Sequence, residues 1–295
     1  MLNPPYVSNG ELWVPLELLT RTAAARPGGS VGSEPQAAAS SSPEAPPAQR
    51  RHRNGPWKVT IDPGHGGHDP GTVNPRTGAR EKDIVLAVSK YLRDELRDRP
   101  GIAVELTRDE DRFIKLEERP RQALSSGADL FLSIHVNAEP GGGTTARGFE
   151  TYYLGRKRDD ESARVARLEN SVLELEGEDA GFGGDTPIDF IVSGLVRDDN
   201  RDTSGKLGGY VQNSMREVAP GPDRGTKPGP FWVLVGATGH MPAVLVELGF
   251  ITNAEDERQL TNKSFQKQLA TALADAVEQY FQFYDEAQYR LGGAR

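Results

Sequence analysis

From Trp57 onward the chain alternates short apolar runs with longer segments whose apolar residues recur every three or four positions, a pattern met by helices layered on a largely parallel sheet. Strands are predicted at 57–61, 102–106, 129–136, 148–154 and 243–248. The run 129–136 is almost wholly apolar, as expected of a strand covered on both faces. Between these lie helical stripes. Ile84, Val88, Leu92 and Leu96 mark a helix over 83–97, and Phe265, Leu269, Leu273, Val277, Tyr280 and Tyr284 mark a long closing helix. A further helix over 116–125 contains Pro120, which is tolerated only in a first turn.

These elements define one α/β domain over 57–285, followed by a tail at 286–295. Residues 159–209 fit the alternation poorly. They hold a polar helix at 162–174, a Gly-rich break at 177–184, and Ile188, Ile191, Val192 and Leu195 at helical spacing, which together predict a helical insertion lying on the domain. Upstream, residues 22–56 are mostly Ala, Ser, Pro, Gly and Arg. Such a stretch buries too little apolar surface to offset ordering entropy and reads as a flexible, disordered linker. Residues 1–21 offer a turn, a short strand and a stub of helix, the remnant or edge of an upstream module.

The 295 residues carry a net charge of −8 with Lys and Arg scattered among Asp and Glu, so no clustered basic face is present to bind nucleic acid. Absence of cysteine excludes a thiolate nucleophile, a disulfide framework and a zinc site with sulfur ligands. No run approaches the roughly 18 apolar residues of a transmembrane segment. Residues 1–5 lack the basic-then-apolar layout of a signal peptide.

Against this background two imidazoles and two carboxylates stand where an ordinary core would not put them. His65 follows the first strand inside Gly64-His65-Gly66-Gly67, a loop able to turn sharply and present the ring at the end of the sheet, although a turn histidine is the simpler reading. Glu81 opens the first helix, where it serves either the helix dipole or a cation. His135 ends a covered strand, as a core histidine or a group in the ligand crevice. Glu247 interrupts Val244-Leu245-Val246 within a strand. An unpaired buried carboxylate costs several kcal/mol, so it is held by an ion pair, for instance with Arg108, or used as a general base with a raised pKa. Together the four supply the ligands and base of a zinc hydrolase. His68 is a candidate rim contact, and His240 a candidate cleft contact.

These segments, with Leu106-Thr107-Arg108, Asp111, Ala128-Asp129-Leu130 and Gly249-Phe250-Ile251-Thr252-Asn253, resemble the zinc-dependent N-acetylmuramoyl-L-alanine amidases of bacterial cell-wall turnover, the amidase 3 type, over about 59–280. The resemblance implies a mixed, roughly six-stranded sheet flanked by helices. It also implies Zn2+ on His65, Glu81 and His135, with Glu247 as the catalytic carboxylate. The stretch 159–209 resembles the regulatory segment of division-associated members, in which a helix covers the cleft until an activator protein displaces it. Arg167-Leu168-Glu169-Asn170 then makes Glu169 a candidate cap on the metal, against the simpler reading of a solvated helix charge. Peptidoglycan as substrate, a role in cell-wall turnover or daughter-cell separation, and a periplasmic or extracellular location follow from the same resemblance. The rival expectations are a zinc peptidase acting within the stem peptide and a non-catalytic wall-binding protein.

Overall fold

The computed structural model describes residues 6–8, 11–13, 55–155, 160–176, 198–219 and 221–292. They fall into two units, one within Met1–Glu44 and the other within Ala45–Arg295. The first contains β1 (Tyr6–Ser8) and β2 (Glu11–Trp13), an antiparallel pair with Tyr6 opposite Trp13. Residues 22–54 of the predicted linker and the predicted apolar stripe Ile188, Ile191, Val192 and Leu195 lie outside the described residues.

The second unit is built on β3 (Trp57–Pro63), β4 (Ile102–Leu106), β5 (Leu130–Asn137), β6 (Phe149–Leu154), β7 (Asp223–Gly229) and β8 (Ala243–Phe250). Its order is β4-β3-β5-β8-β6-β7. The first four strands are mutually parallel, β6 runs antiparallel to β8, and β7 runs parallel to β6. The sheet is mixed and six-stranded, as expected. One end therefore gathers the carboxyl ends of β3, β5 and β8 with the amino ends of β6 and β7.

The helices are α1 (Glu81–Arg97), α2 (Glu118–Ser126), α3 (Asp160–Asn170), α4 (Leu173–Glu176), α5 (Asp198–Arg216), α6 (Trp232–Thr238), α7 (Ala254–Leu260) and α8 (Lys263–Gly292). Strand alternation sorts the side chains onto two faces. Val59, Ile61, Leu130, Leu132, Ile134, Val244 and Val246 pack against α1, α5 and α8. Phe131, Tyr152, Leu154, Ala243 and Leu245 pack against α2, α3 and α6. α1 forms because its apolar residues fall on one stripe, with Glu81 and Asp83 at the positive end of its dipole and Arg97 at the negative end. Leu92 and Leu96 on that stripe are fully buried, and truncating such a leucine to alanine costs about 2–5 kcal/mol.

Several expectations are corrected. Pro120 is the third residue of α2, inside the first turn, but the helix starts at Glu118 rather than 116. The stretch 159–209 is not wholly an overlay: α5 begins within it, and Leu207, Val211 and Met215 of α5 belong to the main core. The polar helix splits into α3 and α4. Residues 286–292, read as tail, continue α8. Strand β7 escaped the pattern because its sequence, Asp-Arg-Gly-Thr-Lys-Pro-Gly, has no apolar alternation, which a sheet-edge strand does not require.

Candidate metal centre

The loop after β3 is fixed from beneath before it presents anything. Arg108 donates to the carbonyl oxygens of Pro63 (3.0 Å), Gly64 (2.7 Å) and Lys82 (3.0 Å). Arg119 donates to those of Pro63 and His65, both at 2.9 Å. Arg119 also meets the buried Asp62 carboxylate at 3.0 Å, which accepts further hydrogen bonds from Thr107 (2.7 Å) and Ser133 (2.8 Å). Burial alone would raise the Asp62 pKa, but Arg119 and the two hydroxyls outweigh it and hold the carboxyl below its ordinary range. Asp111 and Lys82 close the outer side of the loop through Gly67. So held, His65 adopts a left-handed backbone conformation, φ 59°, unusual for a residue with a side chain.

Two close approaches then set the rings. A Cβ on Gly64 would lie 2.4 Å from Cε1 of His135, and a Cβ on Gly71 would lie 2.6 Å from His65 and 2.7 Å from Glu81. Only glycine lets the backbone pass these side chains. Asp69 accepts from Nδ1 of His65 at 2.7 Å, which turns Nε2 inward. Glu81, fully buried at the start of α1, is anchored by the backbone amides of Thr72 (2.9 Å) and Val136 (2.8 Å).

His65, Glu81 and His135 converge, and Glu169 of α3 joins them. One donor atom from each lies within 4.8 Å of the others, and all four residues are buried. His65 Nε2 is 3.2 Å from Glu81 and 3.3 Å from Glu169. His135 Nδ1 is 3.2 Å from Glu81 and 2.7 Å from Glu169. Bonds of about 2.0–2.2 Å to a tetrahedral zinc ion place ligand atoms roughly 3.4 Å apart, close to most of this spacing. His65 Nε2 and both Glu169 oxygens make no hydrogen bond among the described residues. Burial would lower the pKa of both rings. Glu81 and Asp69 reverse this at His65 and hold it well above the usual value, while Glu169 and Glu81 push His135 up to about 9. Carboxylates in excess around two imidazoles are satisfied by a proton on each ring or by a divalent cation between them, so the donor set fits the ion.

Glu247 stands beside this cluster rather than in it. It pairs in register with His135 across β5 and β8, is buried, and makes no hydrogen bond among the described residues. Burial first, then the negative charges of Glu169, Glu81 and Glu150, raise its pKa well above the usual carboxylate range. The ion pair with Arg108 considered from sequence is not formed, since that guanidinium is engaged with backbone carbonyls.

A family model described as N-acetylmuramoyl-L-alanine amidase matches residues 59–279. The chain belongs to this amidase family. AmiA of Escherichia coli (strain K12), named as such an amidase, is 37% identical over 230 residues, 77% of each chain. AmiC of Escherichia coli O6:H1 is 31% identical over 81% of this chain and 57% of its own. Among solved structures, the N-acetylmuramoyl-L-alanine amidase of Clostridium difficile 630 superposes with a TM-score of 0.60 at 30% identity, covering 78% of this chain and 98% of that one. AmiC2 of Nostoc punctiforme gives 0.56 at 28% identity over 77% and 97%.

The amidase fold thus brings together all four residues singled out from sequence, and Glu169 with them. His65 is not exposed, as its glycine-rich loop suggested, because α3 covers it. His68 is exposed and lies against Phe113, ring centroids 4.1 Å apart, at the rim. His240 precedes β8 at the opposite end of the sheet and is no cleft contact. Sequence reasoning missed Asp69, Gly71, Asp62 and Arg119. Only Asp69 left a signal, a carboxylate four residues beyond His65 in the same loop.

Proposed function

We propose that the chain is a zinc-dependent N-acetylmuramoyl-L-alanine amidase that cuts the amide between the lactyl group of N-acetylmuramic acid and L-alanine of the stem peptide. The observation that carries this reading is the convergence of His65, Glu81 and His135 with an unpartnered Glu247 alongside, at the open end of the sheet. The three residues would hold the ion. When bound, it supplies Lewis-acid polarisation of the amide carbonyl and a water acidic near neutral pH. Glu247 in its ionised form, which the charge of a bound ion would favour over the crowding carboxylates, takes the proton of the attacking water, and its raised proton affinity suits it to hold that proton and deliver it to the departing amine nitrogen. Asp69 fixes the His65 tautomer, and Arg108 and Arg119 keep the loop in place.

In the resting chain Glu169 occupies the fourth position of the donor set, so α3 blocks the place where substrate and water must meet. A partner protein that binds α3 or the segment following it would draw Glu169 away. Peptidoglycan as substrate places the site of action outside the cytoplasmic membrane. Among the described residues, no helix is long and apolar enough to cross that membrane.

Digestion of purified peptidoglycan, with products resolved by mass spectrometry, tests the reaction. Stem peptides with a free L-alanine amine, and glycan retaining intact lactyl groups, are the expected products. Cleavage between stem residues would instead assign a peptidase.

A further inference from the structure

The row of charged groups across the open end of the sheet extends beyond Glu247. Glu150 lies opposite Glu247 in the antiparallel β6–β8 pair and is fully buried. Its Oε1 accepts from Asn137 at 2.7 Å, while Oε2 meets Lys227 Nζ at 2.7 Å and Arg224 Nε at 3.3 Å. One carboxylate between two cations leaves a positive charge over. Both cations direct it outward, with side chains 22% and 19% exposed for Arg224 and Lys227. Arg224 also rests over the Phe250 ring, 5.1 Å from its centroid, which limits its range of positions.

The outward charge is answered by Glu161 of α3. Arg224 pairs with one of its oxygens, and Lys227 Nζ lies 3.5 Å from the other. Glu169, near the far end of the same helix, meets the two histidines. Eight residues of helical rise separate these carboxylates by about 12 Å. The sheet gives a matching span, since β7 lies three strand intervals from β5, roughly 14 Å. Helix α3 therefore lies along the cleft with one carboxylate on the metal ligands and another on a basic pair.

We propose that Arg224 and Lys227 form a carboxylate subsite for the stem peptide, and that Glu161 fills it in place of substrate while α3 covers the cleft. The inference rests on the amidase reading and adds the part of the substrate recognised away from the scissile bond. An extended peptide advances about 3.3–3.6 Å per residue, about 10–11 Å over three, so a carboxylate on the third stem residue, its side chain adding the remainder, reaches the pair when the first residue's amide lies at the metal ligands. Two donors on one carboxylate also set the direction of the peptide, with its amino end toward Glu247.

Fluorescence anisotropy with a labelled stem tripeptide tests this. The peptide is made in two forms, carboxylates free or converted to carboxamides, and the protein is the full chain carrying Glu161→Gln and Glu169→Gln to open the cleft. The free form is expected to bind about tenfold more tightly, as for a charge-assisted pair of hydrogen bonds. Adding Lys227→Gln should abolish the difference, and Lys227→Arg should retain it. Arg224→Gln is a second, independent variant, and thermal unfolding verifies the fold of each. Equal affinity for the two peptides, no measurable binding of either, or a preference that survives both substitutions overturns the proposal. The peptidoglycan digest reports separately: cleavage at L-alanine with no carboxylate preference sinks the subsite alone, and its absence sinks the amidase reading.

Discussion

Glu247 shows how one residue's chemistry is set by what surrounds it. The strand buries it, no hydrogen bond among the described residues holds it, and Glu169, Glu81 and Glu150 crowd it with negative charge that His65 only partly offsets. Glu247→Gln keeps the shape and removes the proton acceptor. We expect turnover to fall by about 10²–10⁴-fold with zinc content unchanged, checked by peptidoglycan release alongside metal analysis. Loss of zinc with activity would make Glu247 a ligand instead. Asp69 acts through His65, and Asp69→Asn should weaken zinc affinity about 10–100-fold in a chelator competition. Asp62 belongs to the scaffold. Its pKa is depressed in the folded state, so its stabilising effect is complete above the ordinary carboxylate value of about 3.9 and is lost as pH falls below it. Asp62→Asn leaves Arg119 buried without its partner and should cost about 3–5 kcal/mol at neutral pH. The gap between variant and parent should narrow as acid protonates Asp62, read from denaturant unfolding across pH. A constant gap would show that the charge is irrelevant. Of these residues, sequence exposed Glu247 because a carboxylate in an apolar strand is anomalous. Asp62 escaped notice, since its partner Arg119 is 57 positions away.

At the scale of elements, the proposed regulation rests on α3. It packs Val165 and Ala166 into the smaller core cluster, and Arg164 donates to Ala138 O at 2.9 Å, so its seat is specific. It is also short and charged, which makes displacement less costly than unfolding the sheet. Glu169→Ala should raise basal peptidoglycan hydrolysis while leaving the zinc ligands intact, and deletion of 160–197 should raise it further. The deletion must stop before α5, because Leu207, Val211 and Met215 of that helix are core residues. Unchanged or lower activity in a folded Glu169→Ala protein would remove the inhibitory role. The helical period of α3 was legible in the sequence. Its orientation was not, since Ser162, Ala163, Val165 and Ala166 form too weak an apolar stripe to say what they bury against.

For the whole molecule, metal binding and folding would be linked, because the four donors come from the loop after β3, from α1, β5 and α3, and converge only in the native chain. Zinc held about a thousandfold above its dissociation constant should stabilise the fold by about 4 kcal/mol, some 10 °C in Tm, and chelation should reverse this together with activity. A Tm indifferent to zinc would refute the centre. The sequence by itself determined the strands β3 to β6 and β8 and the helices α1, α2, α3 and α8, because hydrophobic period is a local property, while β7, which lacks that period, stayed hidden. It also marked His65, Glu81, His135 and Glu247 as chemically out of place, and its ordered motifs disclosed the family. Only the tertiary structure decided that β6 and β7 run against the other strands, which brings Glu150, Arg224 and Lys227 to the same end as the histidines. It alone seated Glu169 and Glu161 on that row. These are contacts between residues far apart in the chain, and they depend on strand order and helix placement, which the packing of the whole core selects and no local pattern records.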